Sequence, residues 1–290
     1  MSYPSNMNTS NDSSLFAPLV TAAQYQAYET SVARQLVTVF DAPMNTGKQL
    51  QVPVYARIAA QLITDESAAS NAATGTTSAT ITLGEHVVYE SITDMLRDSA
   101  YNDVFAQIGD QAGRAIAESL DRQVFSQFSG FSSDIGASGH ELVVQDILKA
   151  AATLRSQRLT GPFYCVVHPA AAYNLKKNLT TTLPYSGATA GSQMGALSDV
   201  GNSVLGGFYI GTISGVQIFE SALVPTSGTD STAAVFAPSG LGHAMRGSID
   251  MNTLYLPAAR ATDVVLKAVA GATVLNSVHG VAITCDAQIN

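Results

Sequence analysis

Charge is scarce in this chain. Asp, Glu, Lys and Arg make up 12% of its 290 residues, about half the usual share of roughly 25%. A free monomer normally carries more charge to stay soluble. The shortage therefore points to surface buried against other chains, although an ordinary soluble protein rich in Ala, Ser and Thr fits the same composition. The charge that exists is mostly negative, with 22 acidic against 14 basic residues and a net of −8. No Lys/Arg cluster forms, which argues against tight binding of a phosphate backbone. A nucleic acid beside such a protein would be confined rather than gripped.

Cysteine is nearly absent. Cys165 and Cys285 lie in apolar runs far apart in sequence, which leaves two buried thiols or one disulfide open. Residues 1–14 lack both the basic start and the apolar stretch of a secretory signal. No run of ~18 apolar residues offers a membrane span, and no internal repeat is present. Of the five histidines, His86, His140, His168, His243 and His279, none has metal-ligand spacing. His140-Glu141 opens like a zinc-protease motif, but Val144 stands where the second histidine belongs. Thr46-Gly47-Lys48 lacks the first glycine of a phosphate loop and has Gln49 in place of its Ser/Thr. In Gly211–Gly215 the serine is one place off a nucleophile elbow. Gly240-Leu-Gly242 is followed by Met245 where a dinucleotide site needs a small residue. These near misses assign no catalytic residue, no cofactor and no metal.

What is present is an ordered series of elements. Residues 1–14 have the composition of a disordered tail, which takes a fixed place only if a neighbour pins it. Residues 20–40 mix apolar and aromatic side chains suited to lying along another surface, with Tyr25 and Tyr28 as contact candidates. Residues 48–63 read as a strand edged at Pro53, and 78–90 as its returning partner. The stretch between them, TDESAASNAATGTT, has no core-forming residue. An isolated ribbon is marginal in water and must lie on something. Thr93 is placed to cap a short helix.

A long helix is expected over 102–128. Val104, Ile108, Ala112, Ile116, Leu120, Val124 and Phe128 recur at every fourth position and form one apolar stripe. After a Gly/Ser turn at 129–139 the pattern turns mixed. It continues with an amphipathic helix at 141–158 stopped by Gly161-Pro162, a buried strand FYCVVH at 163–168, and a helix opened by Pro169. Then come a long Gly/Ser/Thr loop at 180–204 and strands near 207–220 and 232–237. The final 253–285 is strand-rich, with expected breaks at Gly271 and Gly280. The fold class is α+β.

This order resembles the Hong Kong 97-type major capsid proteins of tailed double-stranded DNA phages and their bacterial relatives, the encapsulins. Four stretches carry the likeness: 78–128, CVVHPAAAYNLKKNL at 165–179, GGFYIGTISGVQIFESALVP at 206–225 and AVFAPSGLGHAMR at 234–246. The resemblance implies an N-terminal arm (1–47) and an extended loop (48–90). It also implies a peripheral domain with the spine helix (91–138 and 247–290) and an axial domain (139–246). It implies a subunit that assembles as hexamers and pentamers into an icosahedral head in the host bacterial cytoplasm. The shell would enclose double-stranded DNA without sequence-specific binding and without a membrane. A separate scaffolding protein, a portal and a decoration protein are the further partners implied, and the subunit is expected to keep its N-terminus. An encapsulin-like nanocompartment shell is the alternative. A loop tip reaching over a neighbour would present Asp65 and Glu66, with Arg246 and Arg260 as candidate receivers. Some family members cross-link through a loop lysine, but positions 49–90 contain none, so a non-covalent shell is expected.

Overall fold

The computed structural model describes residues 31–45, 47–55, 75–99, 104–181 and 209–289, together with Ile58, Ala60 and Leu62. In chain order the elements are α1 (Ala33–Leu36), β1 (Thr38–Asp41), β2 (Gln49–Tyr55), β3 (Thr76–Thr82), β4 (Gly84–Thr93), α2 (Asp94–Ser99) and α3 (Val104–Phe125). They continue with β5 (Ser133–Gly136), α4 (Val144–Ser156), β6 (Phe163–Val167), α5 (Pro169–Thr181), β7 (Tyr209–Ile213), β8 (Val216–Glu220) and β9 (Thr226–Ser227). The last are β10 (Asp230–Phe236), β11 (Leu241–Leu256), β12 (Ala261–Val274) and β13 (Gly280–Asp286). Strands β2 and β3 form a ribbon. A four-stranded sheet runs β1-β11-β12-β4, and a larger sheet runs β5-β13-β10-β6-β8-β7 with β9 beside β10.

The unbroken apolar run of β6 is explained by burial on both faces. Side chains alternate along a strand. Phe163, Cys165 and Val167 pack with Ile147 and Leu154 of α4 and Leu175 of α5. Tyr164 and Val166 point the other way, toward Phe125, Phe128 and Phe236. Strand β10 divides its residues in the same manner. Cys165 and Cys285 are free and buried in this core, where burial pushes both thiols up. Helix α4 starts three residues later than the pattern suggests. Asp146 of its first turn accepts from Val143 N at 3.2 Å and from the His140 ring at 2.9 Å, which holds the residues before it extended.

The spine helix α3 ends at Phe125 and tightens into a 3₁₀ turn over Ser126–Gly130. A four-residue repeat on a helix of 3.6 residues per turn drifts by ~40° per repeat. The apolar stripe therefore turns as it advances. Ala112, Ile116 and Leu120 pack under the four-stranded sheet with Val264, Leu266 and Ala268. Val124, Phe125 and Phe128 pack under the larger sheet. One helix thus joins both halves of the molecule.

Several expectations are corrected. The returning strand 78–90 divides at Leu83, so that β3 pairs with β2 while β4 pairs with β12. Gly271 does not break β12. A Cβ there would lie 2.3 Å from Thr82 O, so glycine is needed where the ribbon crosses the sheet. Gly280 opens β13, where a Cβ would meet the Phe131 ring at 2.2 Å. Ser133–Gly136, within the expected turn, is a strand parallel to β13. Both β5 and β13 belong to the larger sheet with β10, although the resemblance groups their residues with the peripheral domain. β11 runs through 246 and 247 with a bulge between Arg246 and Asp250. The last part of the expected arm folds on its own subunit, since Thr38–Asp41 pairs in parallel with Gly242–Met245.

Candidate assembly surface

The ribbon is rooted by contacts at its base. Leu83 N donates to Lys48 O at 2.8 Å, and the Arg246 guanidinium donates to Gly47 O. Ala42, Ile81, Leu83 and Ala244 form a small core beneath it. Above that root only the alternation of half-buried Leu50, Val52 and Val54 faces the body, and Tyr55 is exposed. Pro53 fits because a two-stranded ribbon has only edge strands. A groove of about 860 Å³ separates ribbon from body, lined by Val52, Val54, Leu159, Leu275 and His279 among others.

The four-stranded sheet buries one face on α3 and leaves the other open. Cross-strand rows on the open face are Thr93–Ala261–Leu256, Ser91–Asp263–Leu254, Tyr89–Val265–Asn252 and Val87–Lys267–Asp250. A solvated sheet face is normally polar. Here Val87, Tyr89, Leu254 and Leu256 are exposed, Tyr89 to 59% and Leu254 to 62%. Lys267 pairs with Asp250 at 3.2 Å. Tyr89 donates its hydroxyl hydrogen to Asp263 Oδ2 at 2.8 Å, and this bond to the carboxylate pushes the phenol's pKa up. Asp263 is only 9% exposed, and its Oδ1 is buried with no partner.

Where the arm meets the body, Asp121 of α3 accepts from Ser31 Oγ at 2.6 Å and Val32 N at 2.9 Å. Nearby on β11 His243 is buried with neither ring nitrogen bonded. Burial, then the charges of Arg34 and His86, lower its pKa to about 4.

Of the residues singled out in the sequence, Arg246 and Arg260 are described, and they lie apart. Arg246 serves its own ribbon. Arg260 sits with φ 47° in the turn between β11 and β12, its backbone carbonyl accepting from Asp94 N. Ten residues of strand separate the two, on the order of 30 Å at ~3.3 Å per residue. Asp65, Glu66, Tyr25 and Tyr28 lie outside the described residues. Sequence reasoning missed Asp121, Tyr89 and Asp263. The signal for the last two was HVVYE at 86–90, an edge strand with apolar residues on both faces.

The near-miss motifs have structural duties. Ser214 turns the chain between β7 and β8 and takes Arg155 on its carbonyl and hydroxyl. Gly240 lies in a 3₁₀ turn whose carbonyl accepts from Leu275 N. Among the described residues no three His, Cys, Asp or Glu side chains group as metal ligands, and no helix is long and apolar enough to cross a membrane.

A family profile described as phage capsid protein matches residues 77–283. No curated protein matches. Among solved structures, the capsid of Ralstonia phage GP4 is similar with a TM-score of 0.66 at 10% identity, covering 86% of this chain and 87% of that one. The capsid of the cyanophage P-SCSP1u gives 0.63 at 16% identity, covering 86% of each chain. A virus-like particle from Pyrococcus furiosus gives 0.54 at 14% identity, covering 93% of this chain and 99% of that one. At such identities the likeness concerns the fold.

Proposed function

The chain belongs to the phage capsid protein family, and from that premise we propose that it is the major capsid protein of a tailed phage. Its fold is the Hong Kong 97 type, shared with phage capsids over most of both chains. The observation that carries the reading is the extent of the family match. Residues 77–283 run from the returning strand of the ribbon almost to the end of β13, so the match takes in the spine helix and both sheets apart from β1.

The subunit's shape supports a shell. A ribbon that meets the body, among the described residues, through its base and the half-buried face of β2, and a sheet with one exposed apolar face, are what a repeated contact with other copies would cover. Copies would assemble as hexamers and pentamers enclosing double-stranded DNA, in the host bacterial cytoplasm, with a separate scaffolding protein, a portal and a decoration protein as partners. The acidic balance suits a wall that does not hold its cargo, since like charges repel. A shell subunit needs no active site, and none is assigned. Negative-stain images of the purified chain should show closed particles. A species eluting near 30.2 kDa under all assembly conditions overturns the reading.

The Pyrococcus furiosus particle has a related fold, which keeps an encapsulin-like compartment as the second reading. The phage capsid profile favours the first. Particle contents separate them, DNA for a phage head and protein for a compartment.

A further inference from the structure

The open face of the four-stranded sheet holds an unusual combination. At its centre Asp263 is more than nine-tenths buried, and only one carboxylate oxygen is engaged, by Tyr89. The other oxygen, Oδ1, has no partner. A buried acceptor without a donor is costly, and more so when it carries charge. Lys267, two rows along the same face, is already held by Asp250. Beside the carboxylate stand Leu254 in its own row and Tyr89 and Leu256 in the adjoining rows, all exposed. Such a patch is more apolar than an open sheet face should be.

The same sheet carries the complementary charge. Arg260 is exposed in the turn that ends β11, three positions before Asp263, and among the described residues its guanidinium bonds to nothing. An unsatisfied carboxylate, an unpaired guanidinium and an apolar middle make a surface that is complementary to itself. That is the requirement for an isologous, two-fold contact between identical chains. We infer that a second copy of the chain covers this face and that its Arg260 reaches the free oxygen of Asp263. This deepens the shell reading and rests on it. The contact closes the one orphaned acceptor of the face, and a guanidinium donating to a carboxylate is among the stronger polar contacts available. Tyr89 holds Asp263 in place as a positioning residue.

Disulfide trapping in assembled particles tests the arrangement. Ser91 is exposed and directly opposite Asp263 on the neighbouring strand. Subunits carrying Ser91→Cys are mixed with subunits carrying Arg260→Cys, assembled and oxidised. The native thiols are buried and do not compete. A linked dimer should form in particles and be absent from either variant alone. In wild-type particles hydroxyl-radical labelling of Tyr89 and Leu254 should fall severalfold below that of dissociated subunits. Leu254→Asp and Arg260→Glu should fold with unchanged melting and give at least tenfold fewer particles. Particles whose Tyr89 and Leu254 are labelled as in free subunits, or an absent cross-link, overturn the inference while leaving the shell reading intact. Labelling that falls only when a second protein is added assigns the face to that protein and overturns it too. A wild-type chain that never assembles overturns both readings.

Discussion

Asp121 accepts the hydroxyl hydrogen of Ser31 at 2.6 Å across 90 residues of chain. The contact ties the chain ahead of α1 to α3, since the same carboxylate takes Val32 N. Asp121→Ala would leave these donors in a buried place at a cost of about 2–3 kcal/mol. For a chain of this size the melting temperature should drop by roughly 5–10 °C. Ser31→Ala should cost only about 1 kcal/mol. Thermal melts of the two variants check the ratio, and equal melting of Asp121→Ala and wild type would refute the anchor.

The same carboxyl has an unusual pH signature. Burial raises its pKa, outweighing the lowering by Ser31 and Val32. The fold then binds the proton more tightly than the unfolded chain does. The charged form is a burden at neutral pH that eases as pH falls through the raised value. Asp121→Asn should remove that trend. Urea titrations at pH 7 and pH 5 measure it, and identical pH slopes for both proteins would contradict the assignment.

His243 acts in the opposite sense. Its folded pKa of about 4 lies below the ordinary 6.5. Its neutral form is stable above 6.5, and stability is lost as pH falls between those values. At pH 4.5 the loss should be about 2–3 kcal/mol relative to pH 7. His243→Leu also removes two orphaned nitrogens. It should match or exceed the wild type at pH 7 and pull ahead by that amount at pH 4.5. A constant difference between the two pH values in denaturant unfolding would rule this out.

Gly271→Ala tests the crossing of ribbon over sheet. The new methyl would collide with Thr82 O, a backbone atom that cannot swing aside. The ribbon root must shift, at a cost of about 3 kcal/mol or more. Soluble yield and melting report the loss, and an unperturbed variant would mean that β3 does not cross there.

Much of this was legible because periodicity survives where burial is one- or two-sided. The 163–167 run implied a strand covered on both faces, and the stripe from Ile108 to Phe128 implied a spine. The stripe's drift follows from its four-residue spacing, but which sheet each part of it meets could not be read, because that depends on long-range strand pairing. Short strands such as Ser133–Gly136 bury one large side chain, Ile135, and carry no pattern. The pairing of Thr38–Asp41 with Gly242–Met245 spans most of the chain and has no local trace. Arg246 and Arg260 were named as alternative receivers from the scarcity of charge, and the distance between them is set by strand length.

The shell should be free of covalent cross-links. The chain's lysines are few, and none lies between 49 and 90. Lys176, Lys177 and Lys267 are held by Glu220, Glu141 and Asp250. Boiled, reduced particles should run as one band near 30.2 kDa. A ladder of larger species would contradict this.

The loop tip should matter to assembly and not to folding. Residues 65–76 hold no large apolar side chain and offer little to a core. Among the described residues, the contacts that root the ribbon are at Gly47, Lys48, Leu83 and Gly271. The ribbon's own register begins at the pair Tyr55–Thr76, so a short Gly/Ser turn in place of 65–76 leaves nearly all of it intact. Asp65 and Glu66 would be lost, two charges in a chain with few. Exposed ion pairs contribute only about 0–1 kcal/mol each, yet a closed shell repeats each contact many times. Soluble subunits with near-native circular dichroism and melting, but few complete particles, are the expected outcome. Particles of normal number and heat stability would show the tip to be dispensable. Insoluble protein would place it within the fold.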